Sequence, residues 1–340
     1  MKKVRVLALV HDHLVPPEDV TGIDILEAEW KMEYDVIETL KEIGHDVRVL
    51  GVHDELTGIR ATVSSFQPQI VFNLLEAFAG VTTFDQNVVS YLELLRLPYT
   101  GCNPRGLILA RDKALSKKLL AYHRVPVPEF TVVRPGRKPV LPKRLQFPMI
   151  VKSLFFEASQ GISQASVVEN AEQLARRVTF IHERLGTAAI VERFIDGREL
   201  YVGVLGNARL DVFPVWEMSF EKMAENRWKI ATERVKWSTQ YQKRHGIMTA
   251  QAKLDSAMRD RIQQIARRAY RALDLSGYAR IDVRMDEETG RVYVLEANPN
   301  PNLAYGEDFA ESAELSGISY ERLLDRILAL GLRWEPARTG

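Results

Sequence analysis

The sequence predicts an α/β chain of two or three lobes, with a parallel sheet at its start and longer, paired strands toward its end. Three observations lead there. Up to about residue 103, short apolar runs alternate with helix-period segments, the signature of βαβ units. From Ala188 the strands lengthen and follow one another through tight turns. The length, 340 residues, exceeds one ordinary core and suggests lobes of about 100 to 150 residues each.

In order, the first part reads as strand Val4 to Val10, helix Glu29 to Ile43, strand Val47 to Leu50, strand Ile70 to Asn73 and helix Gln86 to Leu95. In such sheets ligands gather at the carboxyl ends of the strands, where His11, Asp12, His13 and Glu76 fall. Each of these is equally readable as a solvated loop residue. The middle part carries helix Arg111 to His123, strand Phe130 to Val133, strand Met149 to Lys152 and helix Ala171 to Leu185, with the proline- and lysine-rich stretch Arg134 to Pro148 as a loop. Lys152 ends the apolar run FPMIVK before a flexible segment. A lysine there either meets phosphate as a point charge or snorkels from a sheet edge. In AAIVERFIDGREL, Glu192 ends one strand and Glu199 opens the next, so both reach a cleft between sheets or both are solvated. The segment Asp255 to Leu275 places Met258, Ile262, Ile265, Ala269 and Leu273 at helical spacing, with Asp255 as N-cap and Gly277 just past the end.

Composition excludes several classes. With 46 Lys+Arg against 45 Asp+Glu, no global basic field favours nucleic acid or an acidic membrane. The N-terminal apolar stretch is interrupted by Arg5 and is too short for a signal h-region or a membrane span. Cys102 is the only cysteine, which rules out an internal disulfide or a thiolate zinc site and points to a reducing, cytoplasmic setting.

The densest chemistry lies in YARIDVRMDEETGRVYVLEANPNPN, Tyr278 to Asn302. Residues i and i+2 of a strand share a face, so Glu296 and Asn298 present oxygens side by side. If Ala279 to Met285 pairs with Val292 to Ala297 around DEETG, Asp282 adds a third. Hard oxygen ligands of this kind suit Mg²⁺, which takes its remaining ligands from water and phosphate, so a nucleotide is the expected partner.

The ordered set VFNLLEAF, LPYTG, ARDKALSKKLL, VPVPEFTVV, FPMIVKS, GIS, AIVERFIDGREL, ARIDV and VLEANPNPN resembles the ATP-grasp superfamily, and within it most of all the D-alanine:D-alanine ligases, from about Ile70 onward. The resemblance implies an N-terminal α/β domain over residues 1–103, a small central domain over 104–187 and a C-terminal antiparallel-sheet domain over 188–340, with ATP held between the last two. It implies phosphate contacts from Lys113 and Lys152. Glu192, Arg193, Phe194 and Leu295 would lie around the adenine, and Glu199 on the ribose. Mg²⁺, with Mn²⁺ as an alternative, would be held by Asp282, Glu296 and Asn298. Arg280 would stabilise transition-state oxygens, and Lys236 of ERVKW would sit in a loop closing over phosphates and substrate, as would the segment Phe155 to Gly161. The reaction implied joins a small-molecule carboxylate to an amine through an acylphosphate, in a homodimer.

The departures from the ligase pattern fall in the amino-acid pocket. The glycine-rich signature with its Glu before Val-Ser is absent, and counting back from EIGHDV places Glu27 at the Glu position. Glu76-Ala77 replaces a His-Gly, and FFEASQG replaces a serine-rich loop. After the metal-site Asn298 the chain reads PNPNLAYGEDFA, so Asn302 stands for a glycine and Glu307 and Asp308 for the Ser-Leu pair that binds the acceptor carboxylate. Two acids there repel a carboxylate, which leads to the expectation that D-alanine is not the acceptor; the alternative is a loop shift that leaves both acids solvated. Two other readings stay open: a non-amino-acid or thiol acceptor, and a non-catalytic nucleotide-binding regulator.

Overall fold

The computed structural model describes residues 2–156, 159–224 and 226–335. The N-terminal sheet is three parallel strands, β1 (Arg5–His11), β2 (Asp46–Val52) and β3 (Ile70–Asn73), in the order β2-β1-β3. Both faces are covered, as an all-parallel sheet requires. Val6, Ala8 and Val10 pack on Val36, Ile37 and Leu40 of α1 (Lys31–Glu42). Leu7 and Leu9 pack with Ile59 of α2 (Thr57–Phe66) and with Val88, Val89 and Leu92 of α3 (Asp85–Leu94). Helix α2 was not expected: TGIRATVSSF is rich in β-branched residues and serine, and tertiary burial of Ile59 and Phe66 overrides that propensity.

The expected helix Arg111 to His123 is α5 (Lys113–Tyr122), and a further helix that was not expected, α4 (Pro104–Arg111), precedes it, the two separated at Asp112. The Asp112 carboxylate accepts from the amides of Ala114 and Leu115 at 2.9 Å, so a residue that competes with helical hydrogen bonding caps the second helix.

The middle sheet is antiparallel, in the order β4-β7-β5-β6, from β4 (Phe130–Val133), β5 (Met149–Ser153), β6 (Val167–Val168) and β7 (Ala189–Arg193), with α6 (Ala171–Leu185) packed on it. The C-terminal sheet takes β8 (Gly197–Gly206), β9 (Leu210–Phe220), β10 (Ile247–Gln251), β11 (Tyr278–Asp286) and β12 (Val292–Pro299) in the antiparallel order β10-β9-β8-β11-β12. Two short helices, α7 (Glu233–Trp237) and α8 (Thr239–His245), lead into β10. Helix α9 (Ser256–Ala272), capped by the Asp255 carboxylate on the Met258 amide, buries Ile262, Ile265, Ala266 and Ala269 against the sheet. The final helices, α10 (Asp308–Leu315) and α11 (Tyr320–Gly331), return to the N-terminal lobe: Leu323, Leu324, Ile327 and Leu328 share one core with β1, β3 and α1.

Two local features set the site. In the β11/β12 ladder Asp282 faces Glu296 and Val283 faces Val294, so Leu295 is an extra, bulged residue. Where the sheet meets the first lobe, the backbones of Gly101 and Gly277 come so close that a Cβ on Gly277 (φ +70°) would lie 2.4 Å from the Gly101 carbonyl oxygen. Asn300 locks the same corner, its side-chain oxygen accepting from the Cys102 amide at 2.8 Å.

The substitution Gly277→Ala combines a left-handed backbone with this clash, and a loss of roughly 2–4 kcal/mol is expected. A fall in the urea and thermal unfolding midpoints checks it; an unchanged midpoint would show that the corner relaxes freely.

Candidate active site

Alternation along β11 puts Ala279, Ile281, Val283 and Met285 in the core and Arg280, Asp282 and Arg284 on the opposite face, toward the middle lobe. On β12, Val292, Val294 and Ala297 are all core residues, three positions separating the last two. The bulge at Leu295 makes this parity change, and so lets Glu296 share the cleft face with Asp282. The cleft between the two sheets is lined by Asp282, Glu296, Glu199, Lys113, Lys152 and Lys236, with Leu295 beside them. Asn298 faces Arg280 across the ladder.

The charges are arranged as a buried network. Lys113 Nζ lies 3.9 Å from Glu296 Oε2 and donates to the Phe156 carbonyl at 2.7 Å. One turn later Lys117, 1% exposed, reaches the Glu192 carboxylate at 3.4 Å and donates to the Leu295 carbonyl at 2.7 Å. Lys152 approaches the same Glu192 oxygen at 3.5 Å. Glu192 itself is 1% exposed, and its other oxygen has no partner among the described residues. Arg280 holds Asp282 through two bonds, at 2.8 and 2.9 Å, and its guanidinium stacks over Tyr201. Arg284 lies 3.5 Å from Glu199, which also accepts from the Tyr201 hydroxyl at 3.0 Å.

Burial opposes charge at Glu296, Glu192, Asp282, Lys113, Lys117 and Lys152, and its balance with the neighbouring charges differs from group to group. Glu296 is penalised by burial, but Lys113, Lys236, Lys152 and Arg280 hold its carboxyl down at about 2. Burial likewise works against the Glu192 carboxylate, yet Lys117 and Lys152 keep it below the usual range. Lys152 loses to desolvation but gains more from Glu192, Glu296 and Glu199, and ends above the ordinary lysine value. Lys113 and Lys117 end below it, because burial prevails. At Asp282 burial outweighs Arg280 and raises the carboxyl. The donor set Asp282, Glu296 and Asn298 fits a hard divalent cation: the two carboxylates are cross-strand partners, and the Asn298 amide nitrogen is buried without a partner among the described residues, leaving that amide free to turn its oxygen outward.

Other expected positions are more dispersed. Phe194 is buried edge-on to Trp228 at 5.0 Å and under the Arg284 guanidinium, whereas Arg193 is exposed. Glu27 is an exposed residue of a single 3-10 turn, Ile25–Glu27. Glu76 follows β3 and retains exposed surface, its amide donating to His11 at 3.4 Å. Asn302 turns its side chain back to the Ala304 amide at 2.8 Å, Glu307 is the N-cap of α10 and Asp308 its first residue. The acid of FFEASQG, Glu157, lies outside the described residues. The sequence reading missed Lys117 and Arg284. Both were visible in principle, Lys117 as the i+4 neighbour of Lys113 and Arg284 as the next same-face residue after Arg280 and Asp282.

The family model described as the D-ala D-ala ligase C-terminus matches residues 119–329. A D-alanine--D-alanine ligase of Gluconobacter oxydans is 32% identical over 292 residues, covering 85% of this chain and 89% of that protein. The uncharacterized protein y4sG of Sinorhizobium fredii is 32% identical over 306 residues, covering 88% and 86%. Among solved structures, the D-alanine--D-alanine ligase of Bacillus anthracis complexed with ATP superposes with a TM-score of 0.74 at 20% identity over 97% of this chain and 98% of that one. The Coxiella burnetii ligase gives 0.71 at 19% identity over 98% and 94%. With a parallel sheet followed by two antiparallel sheets, and with this match over most of its length, the chain belongs to the D-alanine–D-alanine ligase family of ATP-grasp ligases.

Proposed function

We propose that this protein uses ATP to join a small carboxylate to an amine, through an acylphosphate, in the cleft between the middle and C-terminal sheets. The observation that carries this reading is Glu296: a half-buried carboxylate facing the cleft among lysines from α5, β5 and α7, opposite Asp282 on the neighbouring strand. Such a site gathers fixed positive charge around a position where anionic oxygens must be held, and phosphoryl transfer depends mainly on positioning and electrostatics.

In this reading Lys113 and Lys152 bind the phosphates and Lys236, on the short helix at the cleft mouth, reaches the transferring group. Phe194 and Leu295 form the apolar wall for the base, with Glu192 beside them and the exposed Arg193 at the edge. Glu199, oriented by Tyr201 and Arg284, accepts from the ribose hydroxyls. Asp282, Glu296 and Asn298 would hold Mg²⁺, which when bound offsets phosphate charge. Arg280, fixed by its fork on Asp282, faces the tetrahedral oxyanion formed when the amine attacks. The covered cleft limits hydrolysis of the activated acid. A reducing, cytoplasmic setting suits the one buried thiol, Cys102, whose burial raises it to about 12.

The acceptor side supports a departure from D-alanine. Glu307 and Asp308 occupy the head of α10, so an incoming carboxylate meets two acids at that helix end. Glu307 is exposed, and the protein around it together with Asp308 raises its carboxyl, with Lys31 and Arg280 acting against the shift. An acceptor with a cationic or non-carboxylate end fits this loop.

Two measurements check these assignments. Glu296→Ala is expected to lower Mg²⁺-dependent ADP formation by roughly 100-fold or more; retained turnover would remove the assigned metal site. Glu307→Gln and Asp308→Asn are each expected to raise the acceptor KM roughly threefold to tenfold with the ATP KM unchanged, and unaltered acceptor kinetics in both variants would return D-alanine to candidacy.

A further inference from the structure

Arg284 reaches beyond the sheet it belongs to. It is 4% exposed and stands on β11 directly across from Glu199 on β8, the acid read above as the ribose ligand. Its Nη1 lies 3.5 Å from the Glu199 carboxylate, while Nη2 donates to the Gly197 carbonyl at 3.2 Å and also to the Lys229 carbonyl. The flat face of the guanidinium covers Phe194, whose ring lies edge-on to Trp228 at 5.0 Å. Trp228 and Lys229 open the segment 228–236, whose Ile230, Ala231 and Lys236 line the cleft. The middle lobe holds the same segment from the other side. The Gln164 side chain exchanges two bonds of 2.9 Å with the Trp228 backbone, and Glu233 donates its amide to the Ile162 carbonyl and accepts from the Gly161 amide, both at 3.1 Å.

We propose that Arg284 is a positioning residue that couples the nucleotide sugar to this segment, so that filling the ribose site holds 228–236, and with it Lys236, over the phosphates. The coupling rests on the ATP-site reading above. A guanidinium is planar and its donors keep a fixed geometry, so the edge on Glu199 and the edge on Lys229 move as one. Phe194 beneath the plane limits its swing. Glu199 keeps acceptor positions beyond those used by the Tyr201 hydroxyl and Arg284. Ribose hydroxyls that take those positions restrain the carboxylate. The carboxylate in turn restrains Nη1, and Nη2 then presents its N–H to the Lys229 carbonyl.

A ligand favours the covered cleft only by what it gains there and not in the open one. Phosphates supply one such gain, through Lys236. The sugar supplies a second when a rigid group joins Glu199 to the segment, and Arg284 makes polar contacts to both. The bonds from Gln164 and Glu233 have no such dependence, because they join the segment to the loop after β5 and not to the ribose acid. A lysine in place of Arg284 keeps a charge opposite Glu199 but is a point donor, unable to hold that carboxylate and two carbonyls in one plane. Charge and coupling are therefore separable by one conservative substitution.

The full-length protein is digested with trypsin, without nucleotide and with saturating ATP or 2′,3′-dideoxyATP in Mg²⁺. Cleavage after Arg227, Lys229 and Arg234, all exposed, is timed by mass spectrometry, and calorimetry gives the affinity of each nucleotide. The two nucleotides share base and phosphates, so their difference isolates the sugar hydroxyls. In the native chain ATP is expected to slow these cuts roughly tenfold more than the dideoxy nucleotide does. In Arg284→Lys, ATP is expected to protect no better than the dideoxy nucleotide, with its affinity within about threefold of native. An arginine with a merely structural role would instead speed every cut by the same factor with and without nucleotide, and that result overturns the coupling. Equal protection by the two nucleotides in the native chain overturns it without recourse to any variant, as does sugar-dependent protection that survives in Arg284→Lys. Absence of ATP binding to the native protein would remove the ATP-site reading and the coupling together, whereas binding with equal protection removes the coupling alone.

Discussion

Two lysines and a glutamate placed out of reach of water constrain this structure more than any other contact. Glu192, Lys117 and Lys152 are each mostly or wholly buried, and each remains tolerable only because the others are charged. Removing Glu192 would leave two lysines uncompensated in a low-dielectric interior, at a cost of several kcal/mol. The three residues come from β7, α5 and β5, so the middle sheet, the helix before it and the cleft wall must assemble together. The donation from Lys117 to the Leu295 carbonyl extends the requirement to the C-terminal sheet. What an ATP-dependent enzyme needs, a fixed positive environment that does not reorganise during the reaction, is here also a condition of folding.

The bulge in β12 is the backbone counterpart of that network. A strict two-residue period would carry the sequence Val292, Val294, Glu296 along one face and bury the acid in the apolar core. One inserted residue returns Ala297 to the core, sends Glu296 into the cleft and releases the Leu295 carbonyl from the ladder for Lys117. A single irregularity thus sets an acid, an amide and a lysine partner.

Much of this was readable from the chain. The strands Ile70–Asn73 and Phe130–Val133 and the helix Ala171–Leu185 have the bounds that their apolar pattern and caps indicate, and the hairpin around DEETG forms where the turn signal indicates, although Asp282 meets Glu296 only through the bulge. What escaped depends on distant partners. Asp112 looked like one more helical residue until its carboxylate was seen to cap α5. The bulge is invisible to a period count. Glu33 sits in a helix rich in charge, where solvation is the natural assumption; its burial is produced by a sheet and by a loop some 270 positions away, as the contacts of Lys31 and Asp35 with Tyr305 attest. Counting back along the chain chose Glu27, which lies in an exposed turn.

The return of α10 and α11 to the first lobe has a consequence for how the molecule is made. During synthesis β1, α1, β2 and β3 emerge first, but the face formed by Val6, Ala8, Val10 and Phe72 is completed by Leu303, Leu324, Ile327 and Leu328, which are translated last. That side of the nascent parallel sheet, already covered in part by α1, therefore stays incompletely covered while more than two hundred residues are added, a window in which chaperone capture and aggregation compete with folding. Until α10 and α11 dock, the N-terminal lobe has an incomplete core.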